Sequence, residues 1–206
     1  MEIGATKAVQ DRLKTTKIEE SKGASLVFCW DTHLTKIKGR NVLFIVNASN
    51  RYTIAMTDIE PRNWNYYAMY ISRVIYGVMQ EMGYSEDQIG QYFKMSGDTT
   101  VTKTHGRKSV GVINRMVMDA QYFGKKLEKE AKYQWELSEY LNRDICQTEG
   151  FDAYGYPNEL FKLDLERLGI ATKRKPAKVI DFTRYIDTNR STNHYHKRIV
   201  KTIVWA

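Results

Sequence analysis

The first 57 residues show the short apolar runs and close turns that are typical of β-strands. Four segments fit this pattern, at residues 26–30, 33–38, 41–47 and 51–57. Gly39 and Arg40 supply a tight turn between the second and the third of these segments. Residues 42–46 are apolar at every position, which predicts a central strand covered on both of its faces.

Beyond Pro61 the apolar positions recur at spacings of three and four, which is the pattern of amphipathic helices. Ser85 and Gln88 have the spacing of a capping box and therefore predict a helix start just after Gly83. Helices are predicted at residues 6–13, 61–83, 85–93, 109–131 and 158–169, with a Thr-rich strand at 97–102 and a loop at 146–157. Gly124 is the expected position of a kink in the fourth helix.

Strands cluster before residue 58 and helices follow mostly after it, which predicts an α+β fold rather than alternating βαβ units. We expect a mainly antiparallel sheet, formed by the N-terminal third and packed against several helices. Residues 1–170 form the predicted α+β domain, and residues 171–206 form a basic C-terminal extension. Segments 179–187 and 194–205 of that extension predict a β-hairpin.

Composition narrows the class of protein. Apolar residues make up 42% of the 206 residues, which is enough for a hydrophobic core. No apolar run reaches 18 residues, so we expect no membrane partner. The N-terminus lacks the apolar stretch of a signal peptide, so we expect a cytoplasmic protein. The two cysteines, Cys29 and Cys146, are too few and too far apart to predict a disulfide framework or a metal site. Cys29 lies in an apolar run and is predicted to be a buried, inert thiol.

Charge is distributed very unevenly along the chain. Residues 171–206 hold nine lysines and arginines against two aspartates, and so carry seven of the eight net positive charges. Residues 1–170 are nearly neutral, with 23 basic and 22 acidic side chains. Such asymmetry indicates a polyanionic partner. The predicted nucleic-acid-binding residues are Lys173, Arg174, Lys175, Lys178, Arg184, Arg190, Tyr195, Lys197, Arg198 and Lys201.

A second basic cluster lies between the Thr-rich strand and the 109–131 helix. Unpaired backbone N–H groups and the helix dipole favour anions at a helix N-terminus. The predicted anion-binding residues are Lys103, His105, Arg107, Lys108 and Ser109. The spacing differs from that of a Walker loop, and a solvated basic turn in which Thr104 or Ser109 caps the helix is the alternative interpretation.

The sequence predicts no catalytic residue, no metal site and no cofactor. His194 and His196 would share one face of a strand, and His105 and Asp187 are the candidates for further metal ligands, but nothing in the sequence brings them together. The acids Asp31, Asp58, Glu60, Asp98 and Asp119 show no paired spacing and are interpreted as solvated surface groups. An enzyme is therefore the less favoured class.

Several short motifs resemble a family of small bacterial and phage proteins that is known only as a domain of unknown function. The matching positions are Thr6, Lys7, Trp30, Leu34, Asn47, Thr104, Arg107, Gly111 and Asn114, within a similarity that spans roughly residues 1–168. Lys108 and Arg115 depart from the family pattern, and the basic segment after Gly169 is an addition to it. The resemblance implies a fold and a bacterial or phage origin, and no activity.

Two functions from different classes remain open on the sequence. The first is non-enzymatic binding of nucleic acid or a nucleoprotein through residues 171–206, in the manner of an inhibitor of a nucleic-acid-guided host defence (anti-CRISPR type). The alternative is a protein–protein module in which the alternating segment 198–205 adds a strand to a partner's sheet or to a second copy, giving a homo-oligomer. A phosphoester-processing enzyme built on Lys103, His105, Arg107 and the histidines His194 and His196 ranks last.

Overall fold

The computed structural model describes residues 1–13 and 18–172. The predicted C-terminal hairpin and the ten predicted nucleic-acid-binding residues, from Lys173 to Lys201, lie outside these ranges. The division of the chain at residue 170 stays a prediction.

Five strands form one mixed sheet. They are β1 (Glu2–Ala5), β2 (Cys29–Ile37), β3 (Arg40–Asn47), β4 (Thr53–Thr57) and β5 (Thr100–Lys103), in the spatial order β4-β3-β2-β1-β5. Strands β2, β3 and β4 are antiparallel as expected, but β1 is parallel to both β2 and β5. The α+β class is confirmed, and the sheet is mixed rather than purely antiparallel. Parallel neighbours are joined by long crossovers that local patterns do not reveal.

Seven α-helices accompany the sheet within residues 1–13 and 18–172. They are α1 (Lys7–Leu13), α2 (Pro61–Asn65), α3 (Tyr67–Glu81), α4 (Glu86–Ser96), α5 (Arg107–Gln121), α6 (Trp135–Asn142) and α7 (Pro157–Arg167), with one 3₁₀ turn at Leu26–Phe28. The capping box of Ser85 and Gln88 at the start of α4 is confirmed, since both of its hydrogen bonds are present.

Helix α5 ends ten residues before the predicted position at residue 131. The Lys38 side chain, in the turn between β2 and β3, donates hydrogen bonds to the carbonyls of Phe123 and Lys125. These contacts hold an irregular segment after α5, in which Gly124 follows the helix instead of kinking it. Helix α6 begins at Trp135, in a stretch after residue 131 for which no element is predicted.

Both faces of the sheet are covered by apolar side chains. On one face, Trp30 and Ile45 pack in a cluster that includes residues of α3, α4 and α7. On the other face, Val42, Phe44 and Val46 pack with residues of α5 and α6. The prediction of a strand buried on both faces is thus confirmed for β3.

The outer strand β4 is shielded by α6 and the segment before it. Asn142 accepts from the Thr53 N–H and donates to the Thr53 carbonyl, at 2.8 Å each. Ser138 Oγ accepts from the Ala55 N–H, and the Gln134 N–H donates to the Ala55 carbonyl. The outward-facing N–H and carbonyl groups of Thr53 and Ala55, which could otherwise pair with another strand, therefore already have hydrogen-bond partners.

Among the described residues, no helix combines the length and the apolar character that crossing a membrane would require.

Candidate functional site

A histidine enclosed by two carboxylates is the most unusual arrangement of ionisable groups in the described structure. His105 Nδ1 lies 2.8 Å from Asp31 Oδ1, and His105 Nε2 lies 3.1 Å from Glu2 Oε2. The three side chains are buried, with side-chain exposures of 4% for His105, 0% for Asp31 and 6% for Glu2. A protonated imidazole donates to both carboxylates, and we refer to Glu2, Asp31 and His105 as the buried triad.

Parallel pairing of β1 with β2 brings the triad together. In this register Glu2 is opposite Cys29, and Gly4 is opposite Asp31. Because side chains alternate along a strand, Glu2, Cys29 and Asp31 point to the same face of the sheet. The β5–α5 loop then places His105 over that face, where its backbone N–H also donates to Asp31.

The absence of a side chain at Gly4 provides the space that the triad occupies. A Cβ atom at this position would lie 1.7 Å from Asp31 Oδ1 and 3.1 Å from His105 Nδ1. Any side chain at residue 4 would therefore displace the Asp31 carboxylate, because that separation is far below van der Waals contact.

Hydrogen bonds from outside the triad fix both carboxylates. Ser109, in the first turn of α5, donates from Oγ to Asp31 Oδ2. Ser21 Oγ donates to Glu2 Oε2 at 2.6 Å, and the Lys22 N–H donates to Glu2 Oε1 at 2.9 Å. Each carboxylate thus has polar partners besides the imidazole.

These contacts change the proton affinities of the triad. Burial alone would lower the pKa of His105, but the hydrogen bonds and charges of Asp31 and Cys29 outweigh it and raise the pKa to about 10. Burial would raise the pKa of Glu2, and the hydrogen bonds from Ser21, Lys22 and His105 lower it instead. The triad therefore holds an imidazolium near neutral pH.

Cys29 adds a sulfur atom next to the triad. One ligand atom each from Glu2, Cys29 and His105 lies within 4.8 Å of the other two. Cys29 is fully buried, and its Sγ is 3.5 Å from the Ser25 carbonyl and 3.6 Å from the Ala24 carbonyl. This set of an oxygen, a sulfur and a nitrogen is one that could hold a metal ion.

The structure separates the five predicted anion-binding residues into different environments. The His105 and Ser109 side chains contact carboxylates of the triad, while Lys103 pairs with Glu20. Lys108 lies 3.4 Å from Glu149, and Arg107 is exposed at the first position of α5. Since these side chains do not converge on one point, the anion site stays a prediction that rests on the helix N-terminus and Arg107.

Sequence reasoning missed the triad. Asp31 was interpreted as a solvated surface acid and is in fact fully buried, while Glu2 was not singled out. Cys29 is buried as predicted. A signal was nevertheless present in the sequence. Residues two apart in a strand lie on the same face, so Cys29 and Asp31 share one face of their strand, as Glu2 and the small residue Gly4 do in theirs.

Two adjoining clefts lie beside helix α5. Their volumes are about 670 and 500 Å³, and Arg51 and Val112 line both of them. In the larger cleft Arg115 pairs with Asp119 and Arg143 pairs with Glu139. Within the described residues Arg51 forms no ion pair with a carboxylate, and the pKa of the neighbouring Cys146 thiol is raised by burial and partly lowered by this guanidinium. Arg51 is thus a half-buried cation that faces the clefts.

Comparison with known proteins identifies a family but no activity. No curated protein and no solved structure matches the chain. A family described as a domain of unknown function, DUF6933, matches residues 2–160, which include Glu2, Cys29, Asp31 and His105. Because this match spans well over half of the 206 residues, the chain belongs to the DUF6933 family.

Proposed function

We propose that this protein binds nucleic acid, or a nucleoprotein complex, through the basic segment at residues 171–206. The observation that carries the proposal is the concentration of seven of the eight net positive charges in that segment. Lysine and arginine side chains that contact phosphates release condensed counterions, and this release favours binding to any polyanion. Tyr195 and Trp205 supply aromatic rings for stacking on bases.

The arrangement of charges in residues 1–170 supports the basic segment, rather than this region, as the part of the chain that attracts phosphates. Many charged side chains in this region pair with one another, as Lys103 does with Glu20 and Lys132 with Glu60. The nearly neutral balance of residues 1–170 gives that region little general attraction for phosphates. The basic segment is consequently the main source of affinity for a polyanion in this proposal.

The position of His105 supports a binding function over catalysis. An acid–base catalyst must reach its substrate, directly or through one water molecule. The His105 side chain is instead 4% exposed and both of its ring nitrogens contact carboxylates. The enzyme alternative that used His105 as an accessible group therefore loses its central residue.

The proposal is tested by measuring binding to single- and double-stranded DNA and RNA over a range of salt concentrations. The full chain is compared with the variant Lys173→Gln/Arg174→Gln/Lys175→Gln. The matched control is Lys94→Gln/Lys126→Gln/Lys129→Gln, which removes three exposed lysines from the domain and lowers the net charge equally. The slope of log K against log salt is negative, and each phosphate contact that is lost is expected to make it shallower by about 0.9 for duplex DNA.

The expected result is weaker binding and a shallower salt dependence for the segment variant, with little change for the control. Equal losses in both variants would mean that only the net charge matters. Absence of binding by the full chain at about 0.15 M salt, where nonspecific affinities are still measurable, would contradict the proposal.

A protein–protein function is the second candidate, and the shielded edge of β4 restricts its form. Because Asn142 and Ser138 occupy the outer backbone groups of Thr53 and Ala55, this edge does not accept a further strand. Strand addition would instead use residues 198–205 as the donor. A concentration-dependent dimer in sedimentation, lost in the variant Val200→Lys/Ile203→Lys, would favour this second function.

A further inference from the structure

We propose that Glu2, Cys29 and His105 form a binding site for a zinc ion or a similar thiophilic divalent metal. Their ligand atoms, a carboxylate oxygen, a thiolate sulfur and an imidazole nitrogen, lie within 4.8 Å of one another. These are the three ligand types that zinc takes in proteins.

The surroundings of His105 match those of a metal-binding histidine. Such a histidine usually donates its other ring N–H to a carboxylate, which fixes the tautomer and orients the ring. Asp31 occupies this position, 2.8 Å from His105 Nδ1, and is itself held by Ser109. The second nitrogen, Nε2, then faces Glu2 at 3.1 Å.

Glu2 is oriented in a comparable way. The hydrogen bonds from Ser21 and Lys22 fix its carboxylate against the imidazole. Cys29 is opposite Glu2 in the β1–β2 register, so the sulfur and the carboxylate are presented by neighbouring strands of a rigid sheet. Two of the three ligands therefore belong to paired strands, and the segment that contains Ser21 and Lys22 orients the Glu2 carboxylate.

Charge balance favours a cation at this point. Two buried carboxylates, Glu2 and Asp31, require compensating positive charge, which the imidazolium supplies in the metal-free protein. On binding, the Zn–S and Zn–N bonds form as the Cys29 thiol and His105 Nε2 each release one proton to solvent. The divalent ion then replaces the imidazolium proton and balances the new thiolate, with no change in oxidation state.

The experiment uses the full, untagged chain with Co²⁺ as a spectroscopic probe. Binding of one equivalent is expected to produce d–d bands in the visible and a thiolate-to-cobalt charge-transfer band in the near ultraviolet, which Zn²⁺ displaces. The band is expected to be absent in Cys29→Ser and retained in the matched control Cys146→Ser, which alters the other buried free thiol. It is also expected to persist in His194→Ala/His196→Ala, since the proposed set of ligands does not include those histidines.

A second measurement does not depend on any variant folding. X-ray absorption of the zinc-loaded wild-type protein is expected to show one sulfur at about 2.3 Å and nitrogen or oxygen ligands at about 2.0 Å. A zinc ion without a sulfur ligand would overturn the proposal. The same conclusion would follow if the wild-type chain gave no cobalt charge-transfer band, if the band survived in Cys29→Ser, or if it were lost in Cys146→Ser.

Discussion

At the scale of single residues, the described contacts predict the largest loss of stability for a substitution of His105. It is the cation between Glu2 and Asp31, and both carboxylates are buried. Replacing it with a neutral residue leaves two buried carboxylates without their counter-charge. In the metal-free protein, His105→Gln is expected to lower the free energy of unfolding by about 3–5 kcal/mol. Urea denaturation at pH 7 measures this change.

The control for that measurement is His33→Gln. His33 is half-buried and its Nδ1 lies 3.1 Å from the Thr6 hydroxyl, a neutral partner. Its loss is expected to cost about 0.5–1.5 kcal/mol, as for an ordinary hydrogen bond. Equal effects of the two substitutions would show that the carboxylates around His105 do not depend on its charge.

The pH dependence of stability follows from the same residue. Burial disfavours the charge on His105, but Asp31 and Cys29 together raise its pKa to about 10, above the ordinary value of about 6.5. Protonation therefore stabilises the folded state fully below pH of about 6.5, and this contribution is lost as the pH rises toward 10. Unfolding free energies from pH 6 to 10 are expected to fall more steeply for the metal-free wild type than for His105→Gln. Parallel curves would contradict the assigned role.

Gly4 has a steric role that a single methyl group tests. In Gly4→Ala the new Cβ would lie 1.7 Å from Asp31 Oδ1, so the carboxylate must leave its hydrogen bonds with His105 and Ser109. We expect a loss of at least about 2 kcal/mol of stability by thermal or urea unfolding. The matched control is Gly111→Ala in α5, where the added Cβ meets open space and helix propensity predicts a gain of up to about 1 kcal/mol.

At the scale of elements, helix α6 protects the sheet through polar side chains. Asn142 pairs with both the N–H and the carbonyl of Thr53. In Asn142→Ala both backbone groups lose their partner, and a loss of about 2–3 kcal/mol is expected, together with concentration-dependent self-association through the opened edge. Unfolding curves and light scattering measure the two effects. Asn114→Ala, at an exposed position of α5, is expected to stay within about 0.5 kcal/mol of wild type.

The elements that the sequence predicted are those with local causes. The capping box of α4 and the apolar pattern of β3 depend on residues that are neighbours along the chain. Helix α6 was missed because its buried positions include Ser138 and Asn142, whose function is to bond to a strand about 85 residues earlier. A hydrophobic pattern does not mark such positions.

The candidate site was missed for a related reason. Glu2 and Asp31 become neighbours of His105 only through the parallel pairing of β1 with β2 and β5. That pairing joins segments separated by about 30 and 100 residues, and each acid taken alone has the sequence context of a surface group. The basic cluster around His105 was visible, but its partners were not.

At the scale of the whole molecule, the last described residues determine where the folded domain can be cut. After α7, the Gly169 N–H donates to the Glu166 carbonyl and the Ile170 N–H donates to the Leu165 carbonyl. This pair of bonds is a Schellman motif, and Gly169 adopts the positive φ of 72° that it requires. Ile170 is buried in the apolar cluster that contains Trp30 and Ile45, and its carbonyl accepts a hydrogen bond from Gln88.

These contacts predict that a chain ending at Thr172 keeps its fold. The truncation 1–172 is expected to unfold cooperatively, within about 1 kcal/mol of the full chain, because it retains the Schellman motif and Ile170. The truncation 1–167 removes both and is expected to lose about 1.5–3 kcal/mol from the exposure of apolar side chain alone. Calorimetry on the three chains decides between these outcomes. A broad, noncooperative transition of 1–172 would mean that residues 173–206 contribute to the folding of the domain, and their basic side chains would then have a structural role besides binding.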